Sequence, residues 1–191
     1  YPLEPVTEDS YADYVWPPKH PVAGTPITLR DYQVEVINNF LKNPQSMQEV
    51  ATGAGKTLIT AVLSQRCEAH GRTVIIVPNK SLVTPTEEDY INMGLDVGVY
   101  YGDRKEFGKT HTICTWQSLN ILLKNTKNAR AEVTIGEFLE GVVCIMVDEV
   151  HMAKADALKT LLTGVMSHIP IRWGLTGTVP KEDFESVSIV C

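Results

Sequence analysis

A short glycine-rich stretch constrains the fold of this chain more than any other feature. Residues 51–57 read Ala-Thr-Gly-Ala-Gly-Lys-Thr and stand between a predicted strand and a predicted helix. Small residues there let the backbone wrap a polyphosphate, so that several N–H groups and the positive end of the helix face its oxygens. Lys56 would reach the β- and γ-phosphates, and the Thr57 hydroxyl would bind Mg²⁺. The general pattern has glycine where this chain has Val50, which predicts a loop entry of a different shape.

Helical patterns alternate with apolar strands from Thr28 onward. Two continuous apolar runs, Thr73 to Val77 and Val142 to Val147, are typical of strands covered on both faces. This alternation predicts an α/β fold, a mostly parallel sheet with helices on both faces and ligands at the carboxyl ends of the strands. Gly71 is expected to cap the second helix, and Pro85 to interrupt the third. The other predicted elements are helices over 28–43, 56–69, 79–90, 118–124 and 155–167, and strands over 47–51, 97–101, 110–115 and 171–175.

Two carboxylates follow the buried strand that ends at Val147. Asp148 and Glu149 are therefore expected at the carboxyl edge of the sheet, beside the phosphate loop. In that position Asp148 can hold Mg²⁺, directly or through a water, and Glu149 can orient and deprotonate an attacking water. His151 is expected near the terminal phosphate, although a histidine at such a point is also commonly a surface or capping residue.

Charge and cysteine content limit which binding partners and which cellular compartment are expected. The net charge of −6 argues mildly against strong independent binding to nucleic acid, since phosphate contacts dominate such affinity. A local basic strip, or binding shared with another domain, stays open. No apolar run approaches the roughly 20 residues that span a bilayer, so no membrane partner is expected. The chain has four widely spaced cysteines, Cys67, Cys114, Cys144 and Cys191, and we expect them to be buried free thiols. Free thiols are typical of a reducing cytoplasm, which would be that of the host if the chain is of phage origin.

The first 28 residues differ from the rest of the chain. They hold six of its eleven prolines, a density that neither a helix nor a central strand tolerates. We expect residues 1–28 to be a linker or arm that follows an upstream domain, and residues 29–191 to form the nucleotide-binding domain. The chain lacks a starting methionine, so we expect it to be a piece of a longer protein.

Six short motifs, taken in order, resemble those of superfamily 2 helicases of the DExH type. The last of the nucleic-acid motifs has the form seen in phage recombination helicases that migrate branches and in restriction-enzyme motors. The corresponding residues are 51–57, 148–151 and 174–178 for motifs I, II and III, 29–33 for the adenine-reading motif, 76–82 for motif Ia and 115–119 for the next nucleic-acid-facing motif.

The resemblance implies a RecA-like P-loop NTPase domain, the first of two, that binds ATP and Mg²⁺ and contacts DNA. The second RecA-like domain, which supplies an arginine finger, is expected outside this chain, so we expect weak ATP binding and poor hydrolysis by this chain alone. The implied adenine and phosphate contacts are Arg30, Gln33, Thr52, Gly53, Ala54, Gly55, Lys56 and Thr57, with Thr57 and Asp148 on Mg²⁺ and Lys56, Asp148, Glu149 and His151 in catalysis. The implied nucleic-acid contacts are Pro78, Asn79, Lys80, Ser81, Thr115, Trp116 and Gln117. The residues implied to link the ATP state to the bound nucleic acid are Thr176, Gly177 and Thr178.

Other interpretations of the same residues stay open. The glycine-rich stretch could be a turn that binds nothing, Gln33 an exposed helix residue, Trp116 a core aromatic, and Thr176 and Thr178 turn formers. The leading hypothesis is a DNA helicase or translocase acting on branched or double-stranded DNA. The alternatives are an RNA helicase, the translocase module of a restriction complex, a non-catalytic nucleic-acid-binding scaffold and, least favoured, a small-molecule kinase.

Overall fold

A computed structural model of the chain describes residues 15–16, 27–50, 55–106, 108–129, 134–149 and 156–177. The strands in these residues are β1 Val15–Trp16, β2 Ile27–Thr28, β3 Gln45–Glu49, β4 Arg72–Val77, β5 Val97–Tyr101, β6 Arg104–Lys105, β7 His111–Thr115, β8 Val142–Asp148 and β9 Ile171–Thr176. The helices are α1 Asp31–Lys42, α2 Lys56–Cys67, α3 Val83–Asn92, α4 Trp116–Lys127, α5 Ile135–Phe138 and α6 Asp156–Thr163, with a 3₁₀ turn at Lys80–Leu82.

A seven-stranded sheet organises these elements in the order β3-β9-β8-β4-β7-β5-β6. Every pairing in it is parallel except that of β5 with β6, which form an antiparallel hairpin at one edge. One apolar cluster includes side chains of α1, α2 and α3, and a second includes side chains of α4, α5 and α6. The expected α/β fold, a mostly parallel sheet between two layers of helices, is confirmed.

Strand β4 shows why a continuous apolar run forms a central strand. It pairs with β7 on one side and β8 on the other. Ile75 and Val77 belong to the first apolar cluster, whereas Val74 and Ile76 belong to the second. Because successive side chains of a strand point to opposite faces, an apolar residue is needed at each position when both faces are covered.

Each predicted helix differs from the structure at one or both ends, and two of these differences have a clear physical reason. The helix expected to be interrupted by Pro85 begins as a 3₁₀ turn, and α3 starts only at Val83, so Pro85 lies in its first turn. The first N–H groups of a helix have no partner within it, so the missing donor of proline is tolerated there. Gly71 is not the cap of α2, which ends at Cys67. Its φ is 154°, and a β-carbon on it would strike the carbonyl oxygen of Gly141.

The described cysteines are buried, as the sequence predicts. Cys67, Cys114 and Cys144 are buried free thiols, as expected, and Cys191 lies outside the described residues. Across the part of the chain that the structure describes, no helix is long and apolar enough to cross a membrane.

Candidate functional site

The carboxyl ends of three neighbouring strands bring the predicted motifs together. Strand β9 lies between β3, which leads into the phosphate loop, and β8, which ends at Asp148. In the register of these strands, Thr176 is opposite Glu49 and Leu175 is opposite Asp148. The sheet alone therefore places the last residue of β3, Asp148 and Thr176 at neighbouring strand ends.

The surroundings of Val50 explain why a residue other than the usual glycine stands at this position. Its side chain is buried in the first apolar cluster, and its N–H donates to the carbonyl oxygen of Thr176 over 2.7 Å. The chain therefore remains tied to β9 for one residue beyond the end of β3. A branched apolar residue is suited to this position because it anchors the start of the loop in the core.

Lys56, the first residue of α2, pairs with both carboxylates at the end of β8. Its Nζ lies 3.1 Å from Oδ1 of Asp148 and donates a hydrogen bond to Oε1 of Glu149. The side chain of Lys56 is only 14% exposed. Burial lowers the pKa of Lys56, but the hydrogen bond to Glu149 and the charge of Asp148 outweigh burial, so this pKa lies above its usual value. The lysine thus holds two carboxylates together as a cation.

The carboxylate pair fits a divalent cation. Oδ1 of Asp148 is buried and, apart from the ion pair with Lys56, accepts no hydrogen bond from the described residues. Carboxylate and hydroxyl oxygens are ligands that Mg²⁺ prefers, and Thr57 stands in the first turn of α2, next to Lys56 in the chain. Two negative charges against one lysine leave a net charge of about −1, which a bound cation would offset.

Glu149 adopts an unusual backbone conformation. Its φ is 55°, in the left-handed region that residues with a β-carbon rarely occupy. Such conformations cost free energy and persist where the surrounding structure holds them, often at functional sites. Here the turn directly after β8 directs the Glu149 carboxylate to Lys56.

Gln33 is a buried residue that contacts the phosphate-loop helix. Its Oε1 accepts a hydrogen bond from the N–H of Arg30 over 2.9 Å, and its Nε2 lies against Gly55, the residue before α2. Gly55 has a φ of 75°. Gln33 is 4% exposed, so the alternative of an ordinary exposed helix residue is wrong. Arg30 itself is exposed, and Gln33 lies beside the end of the predicted loop.

A second site lies at the carboxyl ends of β4 and β7, which are neighbours in the sheet. A groove of about 650 Å³ there brings together residues from both predicted nucleic-acid motifs. Its lining consists of Asn79, Lys80, Gln117 and Ser118 from those motifs and of Tyr101, Gly102, Asp103 and Arg104 from the β5–β6 hairpin. Sequence reasoning missed the hairpin, although a Gly-Asp pair between two potential strands is a recognised turn signal.

The remaining nucleic-acid candidates have structural partners. Thr115 is buried and caps α4, since its Oγ1 accepts a hydrogen bond from the N–H of Ser118 over 3.2 Å. Trp116 packs against the second apolar cluster, in agreement with the alternative of a core aromatic. Pro78 and Ser81 do not line the groove, and Ser81 donates through its N–H to Oδ1 of Asn79. A nucleic-acid role for these residues stays a prediction.

Thr176 is fully buried and Gly177 partly exposed at the end of β9. The other predicted site residues, Thr52, Gly53, Ala54, His151 and Thr178, lie outside the described residues. The proposed coupling role of motif III therefore stays a prediction.

A phosphate loop and two carboxylates at neighbouring strand ends of a parallel sheet define a RecA-like P-loop domain. The chain belongs to the family described as type III restriction enzyme, res subunit, whose model matches residues 26–181. The predicted membership of superfamily 2, as its first RecA-like domain, is confirmed by this match together with the relatives described next.

Among known proteins, the chain is 30% identical over 165 residues to the DNA 3'-5' translocase XPB2 of Sulfurisphaera tokodaii, covering 85% of this chain and 34% of that protein. It is 24% identical over 159 residues to the ATP-dependent DNA helicase uvsW of phage T4, covering 78% and 29%. The chain thus spans about a third of the length of the curated relatives it matches.

Solved structures share the fold. The crystal structure of the UvsW helicase from bacteriophage T4 superposes with a TM-score of 0.73 at 19% identity, over 97% of this chain and 66% of that one. The helicase domain of Hef from Pyrococcus furiosus does so with a TM-score of 0.65 at 20% identity, over 85% and 36%. The RecA-like fold expected from the motifs is therefore confirmed.

Proposed function

We propose that this chain is the first motor domain of an ATP-dependent DNA helicase or translocase, which binds and hydrolyses ATP with Mg²⁺ and contacts a nucleic-acid backbone. The observation that carries the proposal is the cluster of Lys56, Asp148 and Glu149, in which one lysine from the phosphate-loop helix joins both carboxylates at the end of β8. A RecA-like sheet that binds no nucleotide has no need for such a cluster, whose side chains are only 14–24% exposed, because removing charges from water is costly.

Each member of the cluster has a separate task in hydrolysis. Lys56 would leave the carboxylates for the β- and γ-phosphates, whose negative charge it would stabilise. Glu149, released from Lys56, would orient the attacking water and accept its proton. Thr57 and Asp148 would hold Mg²⁺, which when bound neutralises charge on the phosphate oxygens. Arg30 and Gln33 would contact the adenine edge.

DNA is the proposed track because the relatives are named as a DNA translocase and a DNA helicase. The groove lined by Asn79, Lys80, Gln117 and Ser118 offers amides, a hydroxyl and one cation. Groups of this kind bind sugar and phosphate oxygens without reading base sequence. Contacts that are mostly neutral are compatible with a net charge of −6.

A second RecA-like domain of the parent protein is the proposed partner. The resemblance to two-domain motors implies that ATP binds between the domains and that the second one supplies an arginine finger, worth roughly 10³–10⁵ in rate in related systems. On this proposal, the chain alone binds ATP weakly and turns it over slowly.

The test is ATP hydrolysis by the full-length protein with no nucleic acid, with branched DNA, and with RNA of matched sequence. We expect stimulation by DNA, and a loss of roughly 10²–10⁴ in turnover for Glu149→Gln, the usual contribution of a general base. The matched control is Glu88→Gln, at an exposed carboxylate of α3. Stimulation by RNA alone would replace DNA by RNA in the proposal, and turnover that Glu149→Gln leaves intact would refute it.

A restriction-complex translocase is a second candidate, which the family description supports. On this alternative, the motor would move along duplex DNA without separating its strands. Displacement of a triplex-forming oligonucleotide from a duplex, measured beside unwinding of a forked duplex, distinguishes the two candidates. Triplex displacement without unwinding would favour the restriction motor.

A further inference from the structure

The β5–β6 hairpin comes between the two predicted nucleic-acid motifs in the chain, lies next to β7 in the sheet and lines the groove that the motifs form. Tyr101 and Arg104 pair across the hairpin, and Gly102, with a φ of 49°, and Asp103 make its two-residue turn. All four line the groove together with Lys80 and Gln117. None of the motifs in the sequence includes this hairpin.

Arg104 is the most basic group of the hairpin, yet its charge is already satisfied. Its Nη1 and Nη2 donate to the two carboxylate oxygens of Glu87 in α3, both over 2.8 Å, and Nη2 also donates to Oε2 of Glu106 over 2.9 Å. The Glu87 side chain is only 11% exposed. Turning Arg104 toward a phosphate would leave a mostly buried carboxylate unpaired, which is strongly unfavourable.

Lys80 is the cation of the groove that remains unpaired. It is exposed and forms no ion pair within the described part of the chain, whereas Asp103 adds a negative charge at the hairpin turn. A strand of nucleic acid in this groove would therefore meet a single available positive charge. Attraction between charges alone is too weak there to hold the strand, so neutral contacts must contribute.

Tyr101 can supply the neutral contact. Its ring is partly buried against the first apolar cluster, which fixes its orientation, and it also lines the groove. Its hydroxyl has no hydrogen-bond partner among the described residues. Asn79 adds a donor from the opposite wall, because its Oδ1 accepts from Ser81 and its amide N–H groups are left for a ligand. Bases and sugars stack on tyrosine rings whatever their sequence.

We propose that the β5–β6 hairpin is a third wall of the nucleic-acid groove, in which Tyr101 stacks on one nucleotide of a single strand and Arg104 positions the hairpin without binding phosphate. The inference rests on the proposed function, since it specifies how that groove holds its track. It assigns the affinity mainly to stacking and neutral hydrogen bonds, and only one phosphate contact to the groove, that of Lys80.

The first test is binding of the 191-residue chain to a fluorescein-labelled single-stranded DNA of mixed sequence, followed by anisotropy without nucleotide. Tyr101→Leu keeps an apolar side chain against the core and should weaken binding about tenfold, the range expected for loss of one stacked base. Tyr101→Phe keeps the ring and should bind within about threefold of the parent chain. Equal affinity of the Tyr101→Leu variant and the parent would overturn the inference.

The second test is the dependence of this affinity on salt. Lys80→Gln should reduce the slope of log K against log salt by about 0.7, the value for one phosphate contact with a single strand. Arg104→Gln should weaken binding and leave the slope unchanged, because a positioning residue releases no counterion. Lys127→Gln, at the far end of α4, is the charge-matched control and should change neither quantity. A fall in slope for Arg104→Gln equal to that for Lys80→Gln would overturn the role given to Arg104.

Failure of the inference can be told from failure of the proposed function. Binding of a fluorescent ATP analogue to the same variants reports the nucleotide site, and thermal unfolding reports the fold. A parent chain that binds the analogue but not the DNA would overturn the groove assignment and leave the nucleotide site standing. A Tyr101-dependent affinity of the chain for DNA, together with a full-length protein that neither binds nor hydrolyses ATP, would support the groove and overturn the motor.

Discussion

The amide nitrogen of Gln33 occupies the space into which a β-carbon on Gly55 would project. The residue proposed to recognise adenine and the residue that precedes the phosphate-loop helix are therefore in direct contact. The contact is possible because Gly55 has no side chain and because its φ of 75° is readily adopted by glycine. Base recognition and phosphate binding consequently share one small region of packing.

Gly55→Ala should disturb base recognition as well as stability. The new methyl group must displace the end of the Gln33 side chain, and the backbone strain together with this overpacking should cost about 1–3 kcal/mol of unfolding free energy. Gly55→Ala and Gln33→Ala should each reduce the preference for ATP over GTP by a similar factor. The double variant should show no further reduction in this preference. Competition binding of the two nucleotides and urea unfolding measure the two effects. Additive losses in the double variant would show that the contact is not shared.

Glu149→Gly and Glu149→Ala form a matched pair that isolates the backbone strain at φ 55°. Both changes remove the carboxylate that pairs with Lys56, so both should abolish hydrolysis. The left-handed conformation costs roughly 1–2 kcal/mol for a residue with a β-carbon. Glycine also has more conformational freedom in the unfolded chain, which destabilises the glycine variant by roughly 0.4–1 kcal/mol. We therefore expect the glycine variant to be the more stable by about 0.5–1 kcal/mol in urea unfolding, and an alanine variant of equal or greater stability would contradict this account.

Asp148→Asn should change the dependence on Mg²⁺. The buried Oδ1 of Asp148, which is paired with Lys56 here, is the oxygen proposed to hold the cation, and an amide in its place carries no charge. The Mg²⁺ concentration for half-maximal ATP hydrolysis by the full-length protein should rise about tenfold or more. Asp96→Asn, on an exposed loop residue before β5, is the control. An unchanged Mg²⁺ requirement would remove Asp148 from the metal site.

His111 should make the stability of the domain depend on pH. It is fully buried, with Nδ1 2.6 Å from Oγ1 of Thr73 and Nε2 2.7 Å from Oε1 of Glu68. Burial lowers the pKa of His111 below its usual 6.5, and the hydrogen bond with Glu68 opposes burial without cancelling it. Below pH 6.5, His111 takes up a proton in the unfolded chain more readily than in the folded chain. The contribution of neutral His111 to the unfolding free energy is therefore complete above pH 6.5 and is lost as the pH falls.

The unfolding free energy, measured in urea at pH 7, 6 and 5, should therefore decrease with decreasing pH. The decrease should be smaller in His111→Gln, which cannot take up the proton. A variant that loses stability with pH as steeply as the parent would show that other groups cause the dependence.

The sequence predicts the sheet and the meeting of Lys56 with Asp148 and Glu149 because both follow from local patterns. The continuous apolar runs of β4 and β8 identify the central strands, and carboxylates at the carboxyl end of β8 must lie at the carboxyl edge of the sheet. The ion pairs of Lys56 follow from that placement.

Other features could not be predicted in this way. The contact of Gln33 with Gly55 depends on how two helices pack, and the burial of Trp116 depends on which side of α4 faces the sheet. The pairing of Arg104 with Glu87 joins residues from a hairpin and a helix, and no local pattern specifies that meeting. Boundaries such as the start of α3 are set by backbone donors that lack partners, which residue type only partly reveals.

The hydrogen bond from the Val50 amide to the carbonyl oxygen of Thr176 joins the start of the phosphate loop to the end of β9. The amide proton of Val50 can therefore report motion between these two elements. Val50 lies beyond the last residue of β3, and β3 has β9 as its neighbour in the described sheet. The exchange of this amide proton with solvent deuterium therefore reports whether the start of the phosphate loop and the end of β9 separate. Opening confined to the loop would leave this proton protected, whereas a motion that carries both elements apart would expose it while the central strands stay closed.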